Sequence, residues 1–138
     1  MSVATLPECV RTLFPKEQLE FSSSITAEEK CILQEVFSKH ACFNECGEMI
    51  KELTNKHPDL GRRLAVVLEG NKRRLEGLSD TAIEFAKEII CMVTHTLCSL
   101  TMGKQVDEAE ARRLHEKFQT LSDADKAALR GNNQDIQF

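Results

Sequence analysis

Tryptophan and tyrosine are both missing from the 138-residue chain, whose aromatic side chains are seven phenylalanines. Proteins that hold single-stranded nucleic acid stack its bases on aromatic side chains, and Phe alone provides little of that surface. The formal net charge of −4 also opposes binding to phosphates, since that binding relies on basic side chains that displace counterions. We therefore expect no nucleic acid partner.

Signals for export or lipid anchoring are likewise missing. The first residues, MSVATLPECV, lack the basic segment and following apolar segment of a secretory signal. Ser2 excludes N-myristoylation, and the closing NQDIQF carries no prenylation cysteine. The longest apolar run without a charge, residues 89–102, is too short to span a bilayer. We expect a cytoplasmic protein without stable membrane insertion, which leaves transient membrane contact open.

The motifs of common catalytic sites are missing too. The sequence has no Gly-rich phosphate loop, no G-x-S-x-G turn and no H-E-x-x-H zinc helix. The sequence therefore gives no reason to predict a cofactor.

The chain does contain six cysteines, which raise the questions of disulfides and metals. Without a secretory signal, free thiols in a reducing compartment are favoured over a disulfide framework. Two groups of Cys and His would offer ligands to a soft metal, but neither has the C-x-x-C-like spacing of structural zinc sites. Buried thiols and a core histidine are favoured, so we expect no metal. The two groups are Cys91, His95 and Cys98, and His40, Cys42 and Cys46.

One phrase recurs: an apolar residue, then Ser or Thr, then acids, as in ITAEEKCI, LSDTAIEFA and LSDADKAAL. A Ser or Thr hydroxyl at a helix N-cap accepts a hydrogen bond from a first-turn N–H, and a nearby acid suits the helix dipole. The phrases predict caps at Thr26, Ser79 and Ser122, with capping-box acids Glu29 and Asp125. The same [Ser/Thr]-x-x-[Asp/Glu] pattern matches an acid-directed kinase, so phosphorylation of Thr26 and Ser122 is the alternative to a plain cap.

Other helix starts depend on proline and on further capping residues. Pro7, Pro15 and Pro58 suit the first helical position, and Asn44 and Asp107 suit caps. No segment alternates long enough to predict a strand, and the connections are short. We predict one all-α domain over residues 1–138, with about eight helices at 6–13, 15–22, 27–39, 45–54, 58–76, 80–101, 108–120 and 123–130, the last closed by Gly131.

The helix predicted at 80–101 is the most apolar of the set. Beyond Lys87 and Glu88, apolar residues surround almost its whole circumference, which is typical of a central helix. Two interpretations follow: its apolar faces pack into a plain core, or short helices around it leave a cavity for an apolar ligand. Periodicity alone favours the plain core, because apolar stripes at helical spacing usually pack on each other.

The capping phrases and the segments around them, taken in this order, resemble a known protein family. The run LPECVRTLFPKEQLEFSSSITAEEKCILQEVFSKHACF, the HPDL at 57–60, the LSDTAIEFAKEII and the closing LSDADKAAL together resemble the nematode fatty-acid and retinol-binding family. The resemblance extends over roughly residues 6–130. It implies a small helix-rich carrier with an internal apolar cavity for fatty acids and retinol, and thus a binding protein rather than an enzyme.

The resemblance leads to a predicted binding site, with the apolar wall as its main source of affinity. Burying a methylene contributes about 0.8 kcal/mol, whereas an exposed cation on a carboxylate adds roughly 0–1 kcal/mol. We predict that the cavity is lined by Phe37, Leu64, Leu68, Phe85, Ile89, Val93, Leu97 and Phe118. Carboxylate contacts at its mouth are predicted at Arg62, Arg63, Lys72, Arg73 and Arg74, although such a basic run is usually a solvated face.

Members of the family are commonly secreted, so the missing signal and the cysteines predict an intracellular member. The alternative from another class is a helical interaction module that binds a partner helix in an exposed apolar groove.

The state of the cysteines gives a first test. Titration of thiols in denaturant without reductant should give close to six per chain, because no signal directs the printed sequence to an oxidising compartment. Two or three disulfides would contradict the expected compartment.

Overall fold

The computed structural model describes residues 5–39 and 46–138. Within these residues the chain forms eight α-helices and no strand, as the sequence predicts. No helix in this part of the chain is both long and apolar enough to cross a bilayer. The helices are α1 (Glu8–Arg11), α2 (Lys16–Ser24), α3 (Ala27–Lys39), α4 (Cys46–Lys56), α5 (Pro58–Arg73), α6 (Asp80–Thr101), α7 (Glu108–Gln119) and α8 (Asp123–Asn132).

The predicted caps form at the helix starts. Thr26 and Glu29 make a reciprocal capping box, with the Glu29 N–H donating to Thr26 Oγ1 at 3.2 Å and the Thr26 N–H donating to Glu29 Oε1 at 3.0 Å. The Ser79 hydroxyl accepts from the Ala82 N–H at the start of α6. The Ser122 hydroxyl accepts from the Asp125 N–H at the start of α8.

The carboxylate of Asp125 departs from the predicted box. It accepts a hydrogen bond from the Ser79 hydroxyl at 2.6 Å, so it joins the start of α8 to the start of α6 instead of turning back on its own cap. One contact therefore fixes the relative position of two helix starts.

Several further predictions about helix ends need correction. Pro7 and Pro15 are N-cap residues rather than first helical residues, whereas Pro58 does begin α5. Gly131 does not close α8, which runs on to Asn132. Asp107 caps α7 as predicted, and Asn44 lies outside the described residues.

Two hydrophobic cores surround α6. The first joins the N-terminal half of α6 to α1, α7, α8 and the C-terminal segment, and it includes Phe14, Phe85, Val93 and Phe118. The second joins the C-terminal half of α6 to residues of α2, α3, α4 and α5. The long helix is therefore central, and its two halves are covered by different neighbours.

Close backbone approach sets the position of α5 against α4. A Cβ on Gly61 would lie 2.8 Å from the Cα of Thr54, so only glycine allows α4 and α5 to cross at this point. Gly77 has a φ of 73°, a left-handed conformation that glycine adopts without strain, in the turn between α5 and α6.

A buried ion pair fixes the C-terminal segment to α5. The Arg74 guanidinium donates to Asp135 at 2.7 and 2.8 Å and to Glu17 at 2.8 Å. Burial alone would raise the pKa of Asp135, but the hydrogen bonds from Arg74 and from the Lys16 N–H outweigh it and hold the pKa below its ordinary value of 3.8. The interaction therefore stabilises the fold wherever Asp135 is ionised.

Asp135→Asn should lower the free energy of unfolding at pH 7 by about 1.5–3 kcal/mol, the usual contribution of hydrogen bonds to a charged group. Because the folded pKa is depressed, the contribution is complete above pH 3.8 and is lost as pH falls through the folded pKa. Urea titrations across pH 2–7 should show wild type and variant converging below that value. Glu35→Gln, which breaks an exposed pair with Lys56, should have a much smaller effect; an equal loss in both variants would contradict this account.

Candidate ligand cavity

A cavity of about 310 Å³ lies between α6 and the helices of the second core. One wall is a single stripe of α6, with one or two residues at each helical turn: Lys87, Ile90, Cys91, Thr94, Leu97 and Cys98. At 1.5 Å per residue, the stripe is about 16 Å long. The wall is apolar at its C-terminal end and polar at its start.

The opposite wall is a stripe of α5 made of Leu64, Val67, Leu68 and Asn71. Phe37 of α3 and Met49 of α4 close the apolar end, where they belong to the same core as Leu97 and Cys98. This end is built from buried apolar side chains and holds no charged group among the described residues.

The other end of the cavity is polar. Gln18 of α2 and Asn71 are both buried, and Gln18 Nε2 donates to Asn71 Oδ1 at 3.2 Å. Residues 74–79 join α5 to α6 by a short turn, so Asn71, the last cavity residue of α5, and Lys87, the first of α6, lie toward the same end. The cavity therefore has one polar end and one apolar end, which suits an amphiphilic ligand.

Lys87 and Cys91 form the mouth of the cavity, since they are the two lining residues that are exposed to solvent. Both residues also line a larger groove of about 480 Å³ between α6 and α7. The groove is walled by charged groups that pair with each other, such as Arg113 with Glu110 at 2.7 Å, and the hydrogen bond from Arg113 lowers the pKa of Glu110. The apolar cavity is the better site for an apolar ligand.

Four of the eight predicted lining residues lie at this cavity: Phe37, Leu64, Leu68 and Leu97. They come from α3, α5 and α6, helices that the sequence could not position relative to one another. Whether each of them contacts a ligand stays a prediction.

The other four predicted lining residues lie in the first core, away from this cavity: Phe85, Ile89, Val93 and Phe118. Their surroundings explain the difference. Phe118 stacks on Phe138 with ring centres 4.5 Å apart, and Phe85 approaches Phe118 at 5.8 Å. Val93 has no solvent exposure. These positions are filled by neighbouring side chains, so the placement does not support a role in lining.

None of the five basic residues predicted at the mouth lines the cavity. Arg63 pairs with Glu29 and with Asp59, and Arg62 pairs with Asp59. Arg74 is buried in its pairs with Asp135 and Glu17. Lys72 and Arg73 are exposed on α5. The basic residue at the mouth is Lys87, which the sequence analysis did not select.

The other predictions from the sequence concern phosphorylation, metal binding and the cysteines. The hydroxyls of Thr26 and Ser122 act as caps, and their phosphorylation stays a prediction. In residues 5–39 and 46–138 no cluster of three or more His, Cys, Asp or Glu side chains could hold a metal ion. Cys9, Cys31, Cys91 and Cys98 carry thiols rather than disulfides. Cys98 is buried as expected, but Cys91 and His95 are exposed, so the expectation of a buried thiol and a core histidine is wrong for these two. The group around Cys42 lies outside the described side chains.

The polar residues of the lining were not predicted from the sequence to lie at the cavity. Lys87, Cys91 and Thr94 interrupt the apolar pattern of α6, so a search for apolar stripes passes over them. Their shared signal is the spacing of three and four residues from Lys87 to Cys98, which places them on one face with Ile90 and Leu97.

The residues that the structure describes form an all-helical protein with an apolar cavity that is polar at one end. A family model described as "Nematode fatty acid retinoid binding protein (Gp-FAR-1)" matches residues 10–136. The chain belongs to this family. The fatty-acid and retinol-binding protein 1 of Wuchereria bancrofti is 29% identical over 133 residues, which cover 94% of this chain and 74% of that protein. The protein of the same name from Brugia malayi is 28% identical over the same shares.

Solved structures show the same fold. The lipid binding protein Ce-FAR-7 from Caenorhabditis elegans superimposes with a TM-score of 0.94 at 66% identity, covering 100% of this chain and 98% of that one. The fatty acid and retinol binding protein Na-FAR-1 from Necator americanus has a TM-score of 0.83 at 23% identity, covering 98% and 89% of the two chains. The second likeness supports the fold alone.

A phenylalanine introduced into the first core should destabilise the protein more than one introduced at the cavity. Val93→Phe adds a ring to a filled core and should lower the free energy of unfolding by about 1–3 kcal/mol. Leu68→Phe places its ring toward the hollow and should cost less than that. Urea denaturation of both variants measures the difference, and an equal or larger loss for Leu68→Phe would show that its surroundings are filled as well.

Proposed function

We propose that the protein binds long-chain fatty acids and retinol in the cavity between α5 and α6. The observation that carries the proposal is an apolar cavity with one polar end, in a chain whose relatives are named for fatty acid and retinol binding. Its volume of about 310 Å³ lies at the lower end of the roughly 300–1,000 Å³ range of small-molecule sites. The acyl or polyene chain occupies the apolar end, and the head group faces Gln18, Asn71 and Lys87.

The energetics suit a carrier that both takes up and releases its ligand. At about 0.8 kcal/mol for each buried methylene, a long acyl chain provides on the order of 10 kcal/mol. Ordering the chain and losing its free motion remove several kcal/mol, which leaves micromolar or tighter binding. Because most of this energy comes from the apolar wall, a charged acid and an uncharged alcohol can share one cavity.

Lys87 is proposed as the partner of a fatty-acid carboxylate. It is the one cation among the described residues that line the cavity, and it lies at the mouth. An exposed ammonium adds at most about 1 kcal/mol, so it orients the acid more than it binds it. Retinol has no charge and therefore forms no ion pair with Lys87.

The alternative function, an interaction module with an exposed apolar groove, has no support from the described surface. Val66 is the one large apolar side chain exposed there, whereas a docking groove needs a continuous patch. The apolar residues of the cavity are buried or half-buried.

Binding can be tested with a fluorescent fatty-acid analogue, whose emission should rise and shift to the blue in the cavity and return on addition of oleate. Leu68→Phe should weaken binding by tenfold or more, because the ring occupies the volume of the chain. Val93→Phe should leave the affinity of the folded protein unchanged, because this residue lies in the other core. The absence of any response at micromolar wild-type protein would contradict the proposed function.

Lys87→Met should raise the dissociation constant for oleate by up to about fivefold and leave that for retinol unchanged, since only the acid carries a charge. Because the pair is exposed, the effect should shrink with added salt. Lys72→Met, which removes a similar charge from α5 outside the cavity, serves as the matched control. Equal losses for oleate and retinol would assign Lys87 a packing role instead.

A further inference from the structure

The polar end of the cavity contains a hydrogen-bond acceptor without a donor. Gln18 is 2% exposed, and its Oε1 is buried with no hydrogen-bond partner. The other half of the same amide is satisfied, because Nε2 donates to Asn71 Oδ1. The one other buried side-chain N or O atom that lacks a partner in the described part of the chain is Arg74 Nε, whose guanidinium is held by four hydrogen bonds outside the cavity.

An unpartnered buried carbonyl oxygen is unfavourable, because it has given up its hydrogen bonds to water without replacement. Neighbouring polar groups do not supply the missing donor. Thr94 is on the opposite wall, and its hydroxyl already donates to the Ile90 carbonyl of its own helix at 2.8 Å. Asn71 offers Gln18 its oxygen rather than its nitrogen. A molecule held in the cavity that Gln18 lines is in position to supply the donor.

We propose that Gln18 Oε1 is the recognition group for a lipid alcohol, and that it accepts a hydrogen bond from the ligand hydroxyl. This inference rests on the proposed function and adds the chemical class of head group that the polar end selects. Gln18 lines the cavity, so its unpartnered oxygen can accept from a donor held there while Nε2 keeps its bond to Asn71.

The same geometry separates two classes of ligand. An ionised carboxylate has no proton to donate, and its oxygens would repel Gln18 Oε1, so an acid head group is held at the mouth by Lys87. An alcohol donates to Gln18 and sits deeper, at the buried amide pair. One cavity therefore offers different head-group contacts to acids and to alcohols.

The test compares retinol with retinyl methyl ether, which keeps the polyene and the oxygen but loses the donated proton. Wild-type protein should bind retinol roughly fivefold to tenfold more tightly than the ether, the usual value of one hydrogen bond to a buried partner. In Gln18→Met, which keeps the length of the side chain without its polar atoms, the two ligands should differ by less than twofold. Retinol emission gives both affinities, since the chain has no tryptophan to interfere.

Gln34→Met is the matched control. Gln34 is half-buried on α3 and donates to the Thr101 carbonyl, outside the cavity, so the same substitution there should keep the wild-type preference for the alcohol. Thermal unfolding of both variants verifies that the folded protein is being measured. The comparison of retinol with its methyl ether on wild-type protein requires no variant. It therefore tests the proposal even if Gln18→Met folds poorly.

A wild-type protein that binds alcohol and ether equally, or a preference that persists in Gln18→Met, overturns the role of Gln18 and leaves the proposed function intact. Failure of wild-type protein to bind retinol, the ether or oleate overturns the proposed function itself, and the inference with it.

Discussion

The structure depends on how α6 is covered. This helix is apolar around most of its circumference, so its neighbours must cover it everywhere except along the exposed face of Glu84, Lys87, Cys91 and His95. The first core covers its N-terminal half with α1, α7, α8 and the C-terminal segment, where the rings of Phe118 and Phe138 stack. The second core covers the rest with α2 to α5, and this cover is incomplete along the stripe from Lys87 to Cys98. The cavity is the gap that this incomplete cover leaves beside α6.

The network around Arg74 holds the helices that border this gap. It joins the end of α5 to Glu17 of α2 and to Asp135 of the C-terminal segment, next to the Gln18 and Asn71 pair. A buried guanidinium with several carboxylate partners keeps these elements apart at a fixed distance, since moving either one would leave a charge unpaired. The network therefore joins the elements that border the polar end of the cavity without filling it.

Most of the helices could be predicted from the sequence, because their caps are local. Thr26, Ser79 and Ser122 each bond within their own first turn, and such signals need only the neighbouring residues. The site could be predicted only in part, because it depends on how helices face each other. Val93 and Leu97 lie one turn apart on α6, yet the first packs into a filled core and the second borders the cavity. Gln18 was beyond prediction, since its significance is a missing partner that only the packed structure reveals.

The central claim is that a lipid lies along the α6 stripe with its head group at the polar end. It is tested most directly by isotope-filtered NMR of the protein with oleate labelled at its terminal methyl group and, in a second sample, at the carbons beside the carboxylate. The account predicts contacts from that methyl group to Met49, Phe37 and Leu97, and from the carbons beside the carboxylate to Lys87. Contacts from the methyl group to Val93 or Phe118, or a methyl group next to Lys87, would contradict it.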